Sequence, residues 1–383
     1  MTAATAIPRI EGVRLTAVDV PYRPELGTLV TAGMTQRGAR HVLVEVFADD
    51  GSVGLGEAVP RPSVYGETLD GIRAACEQLL APPLLGMAAT DTERAWAAWE
   101  RVVGNQTAKA ALDVALHDLV ARRARLPLWR LLGGWSDGSI PLTMALGIGS
   151  AAMVAEHARQ AVDAGYGTLK FKVGMDVAAD LASVAAVREA VGPGVTVYVD
   201  ANNGYSRRDA IRAARGFERQ DIALIEEPVA ARDTEGRARL AHATDIPLLL
   251  DESTNDLADV PREIAAGTAG VISVRAARTG ISLTRHLVGL ATANHVPLLV
   301  GSHRELGVGI AASAHIAAGF RVMAWPAELG SHVFLEDGLL REPLRIEGGR
   351  LHLPGGPGLG VELDPERVGR YRLWTSTAGE VPV

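Results

Sequence analysis

The chain has 383 residues, of which 48% are hydrophobic and 4% are aromatic. This length fits two domains or one large α/β barrel with an addition, and so high an apolar content excludes intrinsic disorder. The formal net charge of −7 and the lack of a long lysine or arginine run argue against nucleic acid as a partner.

The first part of the chain predicts an α+β domain over residues 1–128. Its opening stretch, MTAATAIPRIEG, lacks the charged and apolar regions of a signal peptide, and no run of about 18 apolar residues follows. We therefore expect a cytoplasmic protein without membrane contact. The segments RLTAVDVPY, ARHVLVEVFAD and VGLGEAV alternate like antiparallel strands. TAKAALDVALHDLVARRA has the apolar spacing of a helix that packs on a larger body.

The rest of the chain predicts a parallel barrel over residues 129–340. A β-branched or leucine-rich run, a polar turn and an alanine-rich helical stretch follow one another eight times, which is typical of a (β/α)₈ barrel. An open doubly wound sheet is the alternative, but no glycine-rich phosphate motif follows the first strand. Residues 341–383 are too few to fold alone, and we expect them to pack back on the first domain. The eight strand-like runs begin at Leu142, Thr168, Val195, Ile222, Pro247, Gly270, Pro297 and Val322.

Three successive runs carry an acid near the carboxyl end. These acids are Asp200 in YVDANN, Glu226 in LIEEP and Asp251 in LLDES. A single acid there more often caps the next helix, but the carboxyl ends of barrel strands meet at one face, so three acids in register would converge. Carboxylates without histidine or cysteine favour a hard divalent cation, and Mg²⁺ is the first prediction.

Three neighbouring residues are expected to support this metal site from behind. Glu227 and Glu252 directly follow two of the acids, and strand alternation predicts that they point away from them. Asn202 follows strand three and is also expected to lie behind the metal ligands.

The cationic residues of this face come from strands two and six. Lys170 and Lys172 lie two residues apart in an otherwise apolar strand and so share a face. Burial and mutual repulsion are expected to lower the pKa values of both lysines toward neutrality, which suits a general base. Arg275 follows strand six, and strand seven ends near His303 and Glu305. Together with a cation, these groups suit chemistry on a carbon next to a carboxylate, through an enediolate.

The order of the motifs KxK, DAN, IEEP, DES and GSxxE resembles that of the enolase superfamily, in the muconate lactonising branch of the mandelate racemase/muconate lactonising enzymes. The likeness covers nearly the whole chain, since GLGEAVPRPSVYGET resembles the capping loop and PGGPGLGVELD the closing segment. It implies a capping domain that determines substrate choice and a modified TIM-type (β/α)₇β barrel. It also implies Mg²⁺ or Mn²⁺ as cofactor, a small-molecule carboxylate substrate, and a homo-oligomer, either an octamer or a smaller assembly.

The resemblance also implies a role for each matching residue. Asp200, Glu226 and Asp251 correspond to the metal ligands. Lys172 corresponds to the acid/base lysine, and Lys170 to the lysine that polarises the substrate carboxylate.

Further residues are matched less directly. Glu305 corresponds to a glutamate of the strand-seven segment. The capping loops, with Gly27 and Thr28 in one and Arg61 and Tyr65 in the other, are expected to contact the distal part of the substrate.

The chain departs from the family pattern on strand six, where Arg275 stands in VRAARTGIS at the place of a second acid/base lysine. Arginine stays protonated at neutral pH, so chemistry with two opposed bases is disfavoured. A muconate-type cycloisomerase or related syn lyase is therefore favoured. The alternatives are an amino-acid or dipeptide epimerase or racemase with His303 as second base, a sugar-acid or hydroxyproline dehydratase, and a non-catalytic metal-binding homologue.

Overall fold

A computed structural model of the protein describes residues 7–24, 29–31, 34–147 and 149–382. The capping-loop residues Gly27 and Thr28 lie outside the described residues.

The strands and the helices of the described residues are each numbered in chain order. The strands are β1 (Ile10–Pro21), β2 (Leu29–Thr31), β3 (Met34–Gln36), β4 (Gly38–Ala48), β5 (Val53–Ala58), β6 (Ser139–Pro141), β7 (Thr143–Leu146), β8 (Thr168–Lys172), β9 (Thr196–Asp200), β10 (Ile225–Glu226), β11 (Leu248–Leu250), β12 (Val271–Val274), β13 (Leu298–Val300), β14 (Arg345–Glu347), β15 (Arg350–His352) and β16 (Arg372–Gly379). The helices are α1 (Leu69–Ala75), α2 (Thr92–Trp99), α3 (Gln106–Arg123), α4 (Leu128–Leu132), α5 (Ala151–Asp163), α6 (Val177–Val191), α7 (Arg207–Glu218), α8 (Thr234–Ala241), α9 (Asp259–Ala265), α10 (Ala276–Thr279), α11 (Ser282–Ala293), α12 (Gly307–Gly319) and α13 (Pro365–Tyr371).

The cap is built on a four-stranded antiparallel sheet in the order β16-β1-β4-β5, with helix α3 packed against β5. Two glycines in β5 allow this close approach. A Cβ atom at Gly54 would lie 2.0 Å from the backbone oxygen of Ala115, and one at Gly56 would lie 2.0 Å from that of Ala111. Any larger residue at either position would therefore push the helix away from the sheet.

The barrel sheet has seven parallel strands in the order β13-β12-β11-β10-β9-β8-β7. Bridges from Leu298 to Met323 and from Leu142 to Ala327 place an eighth segment between the first and last of these strands. Each of the seven strands is followed by an α-helix before the next segment of the barrel begins, whereas a short 3₁₀ turn, Gly330–Phe334, comes directly after the eighth segment. The predicted modified (β/α)₇β barrel with an α+β cap is thus confirmed.

The segment after residue 340 divides between the two bodies. Strands β14 and β15 form a hairpin that pairs with β6, next to the first barrel strand, whereas β16 pairs with β1 in the cap sheet. The domain boundaries at residues 128 and 340 remain predictions.

One buried core lies between the barrel strands and their helices, and a second lies between the cap sheet and α1 to α3. A smaller cluster on the opposite face of the barrel strands contains Tyr198, Leu224, Leu249, Val271 and Leu299. Among the described residues, no helix combines the length and the apolar character that crossing a membrane requires.

Glu57 on β5 joins the cap to the barrel close to the strand-seven loop. Its carboxylate accepts hydrogen bonds from the backbone N–H groups of Leu306 (2.7 Å) and Gly309 (2.8 Å), where α12 begins. The same carboxylate lies 2.7 Å from Nδ1 of His41, and both side chains are buried. Glu57 therefore satisfies buried donors on two different parts of the molecule.

We expect Glu57→Ala to lower the free energy of unfolding by about 2–6 kcal/mol, because each buried donor left without a partner costs about 1–3 kcal/mol. Chemical denaturation monitored by circular dichroism measures the change. Glu45→Ala on β4 is the control. Glu45 is partly exposed and its contact with Arg14 is long, at 3.4 Å, so its loss should cost less than about 1 kcal/mol. Equal losses in the two variants would contradict the role of Glu57.

Candidate active site

A cavity of about 1130 Å³ opens at the carboxyl ends of the barrel strands, under the cap. Its wall combines side chains from both bodies, with Ser63 and Val64 from the cap and Met144 and Phe334 from the barrel side. Cations are prominent in this wall and include Arg61, Lys170, Lys172, Arg232, Arg275 and Arg304. Carboxylates line the same wall, including Asp200, Asp251, Glu252, Asp259 and Glu328. A wall with both charges suits an anionic ligand together with a cation.

Lys170 lies at the centre of a buried cluster of charges. Its Nζ is 2.6 Å from Oε2 of Glu226, 3.0 Å from Oδ2 of Asp200 and 3.0 Å from both carboxylate oxygens of Glu328. The hydroxyl of Tyr198 also donates to Glu328, at 2.6 Å. Burial lowers the pKa of Lys170, but the three carboxylates outweigh burial and raise that pKa well above its usual value. The expected fall in the pKa of Lys170 is therefore wrong, because the sequence analysis did not place three acids around one lysine.

Lys172 reaches the open part of the cavity. Its Nζ lies 2.5 Å from Oδ2 of Asp200 and 2.6 Å from Oδ1 of Asn202, and 26% of its side chain is exposed, against 4% for Lys170. Parallel pairing of β8 with β9 places Lys172 directly beside Asp200. Of the two lysines, Lys172 is thus the one that can meet a ligand in the cavity.

Arg275 is paired with the third acid of the predicted metal site. Its guanidinium contacts both carboxylate oxygens of Asp251, with 2.8 Å from Nε to Oδ1, and also donates to the backbone oxygen of Ser302. Arg278 adds a second contact to Asp251, at 3.1 Å. Burial lowers the pKa of Arg275, but Asp251 more than offsets burial and raises it further above its usual value. Arg275 is therefore a fixed cation at the position where the family pattern has a lysine.

The three residues expected behind the metal site take different positions. Asn202 accepts from Lys172 and lines the cavity. Glu227 is turned away, and its Oε1 accepts from the backbone N–H groups of Asp251 (2.6 Å) and Ser253 (2.8 Å), which holds the strand-five loop in place. Glu252 also lines the cavity, and burial, with Asp251 beside it, raises the pKa of its carboxyl to about 8.

The strand-seven residues lie at the junction with the cap. Nε2 of His303 is 2.5 Å from the hydroxyl of Tyr65, and the backbone oxygen of His303 accepts from Nη2 of Arg61 at 2.8 Å. Burial, reinforced by Arg275, lowers the pKa of His303 well below its usual value, so the ring is neutral. The ring lines the cavity but its Nε2 is already engaged by Tyr65.

Glu305 lies behind this loop and does not line the cavity. Its Oε2 accepts from the backbone N–H of His303 at 2.8 Å, and its side chain is fully buried. Burial raises the pKa of the Glu305 carboxyl to about 7. The contacts indicate that Glu305 orients the His303 loop without meeting a ligand.

The fit of a metal ion can be tested on the acids themselves. Within the part of the chain that the structure describes, no group of three or more histidine, cysteine, aspartate or glutamate side chains is arranged to hold a metal. Lys170 and Arg275 lie between the acids and neutralise them. The donor set nevertheless consists of carboxylate oxygens, and Oε2 of Glu226 is buried with the ammonium group of Lys170, at 2.6 Å, as its charged partner. The acids therefore suit a hard divalent cation, provided that four cations give up their contacts with the carboxylate oxygens, namely Lys170, Lys172, Arg275 and Arg278.

Two residues of this site were missed by the sequence analysis. Glu328 ends the eighth strand-like run and is the main hydrogen-bond partner of Lys170, and Tyr198 binds Glu328 from β9. Glu328 could have been found, because it occupies the same strand-end place as Asp200, Glu226 and Asp251. Tyr198 carried no comparable signal.

Comparison with known proteins agrees with these observations. Residues 12–133 match the family model described as mandelate racemase / muconate lactonizing enzyme, N-terminal domain, and residues 153–368 match the model described as enolase C-terminal domain-like. A muconate cycloisomerase of Acinetobacter lwoffii is 33% identical over 380 residues, which cover 97% of this chain and 98% of that protein.

Solved structures show the same relationship. A muconate lactonizing enzyme from Mycobacterium smegmatis, complexed with muconolactone, superposes with a TM-score of 0.91 at 36% identity and covers 95% of this chain and 99% of that chain. A dipeptide epimerase from Enterococcus faecalis, complexed with Mg and the dipeptide L-Leu-L-Tyr, has a TM-score of 0.87 at 29% identity, covering 92% of this chain and 99% of that chain. The chain therefore belongs to the mandelate racemase/muconate lactonizing enzyme family of the enolase superfamily, in the branch that contains the muconate cycloisomerases.

Proposed function

We propose that the protein is a divalent-metal-dependent enzyme that acts on the carbon next to a carboxylate, by a muconate-type cycloisomerisation or a related syn elimination. The observation that carries this proposal is the asymmetry of the cavity. Strands two and six of an eight-stranded barrel face each other, and they present Lys172 on one side and Arg275 on the other. Arginine stays protonated at neutral pH, so Arg275 can supply charge but cannot act as an opposed base.

Lys172 is the residue that moves the proton. It is partly exposed to the cavity, and Asp200 and Asn202 hold its Nζ in one position. The composition of the chain supports this role, because it has only three lysines, Lys109, Lys170 and Lys172, among 38 lysine and arginine residues. Two of these three lysines lie on β8 at the cavity, whereas arginine supplies nearly all of the positive charge elsewhere in the chain.

The remaining charged groups bind and orient the substrate. Lys170 is fully buried, is held by three carboxylates and supplies positive charge next to the reacting carboxylate. A divalent cation held by Asp200, Glu226 and Asp251 would neutralise the substrate carboxylate and make its α-proton more acidic. The specific ion, Mg²⁺ or Mn²⁺, is part of this proposal.

The distal part of the cavity favours a substrate with a second anionic group. Arg61 comes from the cap, and its Nε is buried without a hydrogen-bond partner among the described residues. A buried guanidinium N–H of this kind is costly unless a ligand accepts from it. Muconate, a dicarboxylate, meets this requirement and also matches the names of the relatives.

The proposal is tested by proton NMR in deuterated water with Mg²⁺, over cis,cis-muconate, N-succinyl amino acids, hydroxyprolines and sugar acids. We expect a lactone or dehydrated product with deuterium on a single face. Arg275→Lys should add α-proton exchange on the second face, because it restores an opposed base that can titrate. An unchanged exchange pattern in Arg275→Lys would show that this position does not restrict the reaction.

The second candidate is epimerisation, which the relatives with that activity and the position of His303 favour. Deuterium exchange in both enantiomers without net product, lost in His303→Asn, would replace the first proposal with this one. In that case Tyr65 would have to release Nε2 of His303 during turnover.

The remaining predictions belong to the same proposal. We propose a cap over residues 1–128, a catalytic barrel over 129–340, a homo-oligomeric assembly and a cytoplasmic location. The pairing of β16 with β1 supports the return of the last segment to the cap.

A further inference from the structure

The hydroxyl group of Tyr198 is a polar group in mostly apolar surroundings inside the barrel. Tyr198 on β9 is fully buried, and its ring meets that of Trp325 edge to face, with 6.5 Å between the centroids. The ring also packs in an apolar cluster with Leu224, Leu249, Val271 and Leu299. Phenylalanine would fill this space equally well, and a buried hydroxyl is costly unless it has a hydrogen-bond partner. The packing therefore does not explain why this position carries a hydroxyl.

The partner of this hydroxyl is Glu328, at the end of the eighth barrel segment. The hydroxyl donates to Oε1 of Glu328 at 2.6 Å, and both oxygens of the same carboxylate accept from Nζ of Lys170 at 3.0 Å. Parallel pairing of β8 with β9 places Lys170 directly beside Tyr198. The backbone of Glu328 lies elsewhere in the barrel, where its N–H donates to the backbone oxygen of Val300 on β13. The Glu328 side chain thus reaches to strands two and three, and Lys170 and Tyr198 hold it there.

The carboxylates around Lys170 differ in the part that they would play with a metal. Nζ of Lys170 contacts Asp200, Glu226 and Glu328. Asp200 and Glu226 are acids that we assign to the metal, whereas Glu328 is not. A divalent cation that binds Asp200 and Glu226 would weaken their attraction for Lys170. Glu328 would then be the carboxylate of this cluster that still pairs with Lys170.

We propose that Tyr198 is a positioning residue, whose hydroxyl holds the Glu328 carboxylate against Lys170 when Asp200 and Glu226 bind the metal. This inference rests on the proposed function, because it requires those two acids to be metal ligands. A phenol suits the role, since it donates one hydrogen bond and is uncharged at neutral pH. A cation in its place would compete with Lys170 for the charge of Glu328. Tyr198 does not line the cavity, so it acts through Glu328 and meets no substrate.

The test follows the ammonium group of Lys170 by NMR. The chain has only three lysines, so labelling lysine with ¹⁵N at Nζ gives at most three ammonium signals, which Lys109→Arg and Lys172→Arg assign. The rate at which the Lys170 ammonium group exchanges protons with water measures how firmly its carboxylates hold it. With saturating Mg²⁺, exchange in Tyr198→Phe should be about ten-fold faster than in the wild type, the factor that a hydrogen bond to a charged group contributes.

The same variant without Mg²⁺ provides an internal comparison. The exchange rate of Lys170 should then stay within about two-fold of the wild type, because the charge-assisted contacts of Asp200 and Glu226 still hold its ammonium group. Circular dichroism checks that Tyr198→Phe is folded.

The matched control is Tyr205→Phe. Tyr205 is also buried, and its hydroxyl donates to Oδ2 of a different carboxylate, Asp180, at 2.7 Å. This variant loses the same kind of hydrogen bond without touching Glu328, so the exchange rate of Lys170 should match the wild type. An equal acceleration in Tyr205→Phe and Tyr198→Phe would show a general loosening of the fold and would overturn the role of Tyr198.

A double-mutant cycle shows whether Tyr198 acts through Glu328. In a Glu328→Ala background, Tyr198→Phe should accelerate exchange by less than about two-fold, because the hydroxyl has lost the group that it positions. An acceleration as large as that in the wild-type background would contradict the proposed route.

The wild-type spectra separate this inference from the proposed function. If Mg²⁺ shifts the signals of Lys170 and Lys172 but Tyr198→Phe exchanges like the wild type, the metal site stands and the role of Tyr198 is wrong. If Mg²⁺ shifts neither signal, the metal site itself is contradicted, and the role of Tyr198 falls with it.

Discussion

Replacing Lys172 by alanine is expected to reduce kcat by about 10²–10⁴-fold, the range that a positioned acid or base contributes. Lys172 is the lysine with a partly exposed side chain, and its two partners, Asp200 and Asn202, hold its Nζ at the cavity wall. Neither of the two nearby cations can replace that amine, because Lys170 is enclosed by carboxylates and Arg275 is bound to Asp251. Turnover and α-proton exchange in deuterated water measure the loss.

Two controls separate the loss of a base from the loss of a charge. Lys172→Arg keeps the positive charge but cannot give up a proton, so it should be as inactive as Lys172→Ala. Lys109→Ala removes the remaining lysine, which donates to the backbone oxygen of Val102 in the cap, and should keep full activity. Substantial activity in Lys172→Arg would mean that the residue acts through its charge alone, and the proposed base would be wrong.

Glu226→Gln is expected to weaken Mg²⁺ or Mn²⁺ binding by about 100-fold or more, since even residues behind a metal ligand typically contribute about 10–100-fold. Glu226 is the middle acid of the three, and its side chain is buried beside Asp200 on the neighbouring strand. Glutamine keeps the size of the side chain but loses its charge. Titration with Mn²⁺, followed by electron paramagnetic resonance, reports binding without any need for substrate.

The matched control is Asp259→Asn. Asp259 also lines the cavity, but it is paired with Arg262 at 2.9 Å, away from the three acids. Its replacement should leave Mn²⁺ binding within about two-fold of the wild type, because charges in a solvated position contribute little. If Glu226→Gln binds Mn²⁺ as tightly as Asp259→Asn does, Glu226 is not a ligand.

Much of the architecture was predictable because each strand has a clear local signal. The run that begins at Thr168 coincides with β8, and the family and the modified barrel are confirmed. The position of the acids was predictable too, because parallel register alone places Glu226 beside Asp200. Periodicity and strand ends therefore carry most of the information needed to find the face of the barrel that holds the site.

What could not be predicted depends on side-chain direction and on contacts between distant segments. Side chains alternate between the two faces of a sheet only within a strand, and Glu227 and Glu252 lie beyond the ends of β10 and β11. Alternation therefore could not show that Glu252 lines the cavity while Glu227 turns away from it. The same limit applies to Glu305, which follows β13 in an irregular loop and is buried behind it. The charge state of Lys170 depends on the distances from its Nζ to Asp200, Glu226 and Glu328 on other strands, and no local pattern gives those distances.

The pairing of β1 with β16 has a consequence for how the molecule forms. Most barrel strands pair with a strand one βα unit away, so the barrel can grow in order during synthesis, through contacts of short sequence separation. The first strand of the cap, by contrast, stays without its outer neighbour until the whole barrel and β16 have been made. Closing so long a loop is slow, so the cap sheet should be completed last. Since Arg61, Ser63 and Val64 of the cap form part of the cavity wall, the barrel alone would be folded before it is able to enclose a substrate.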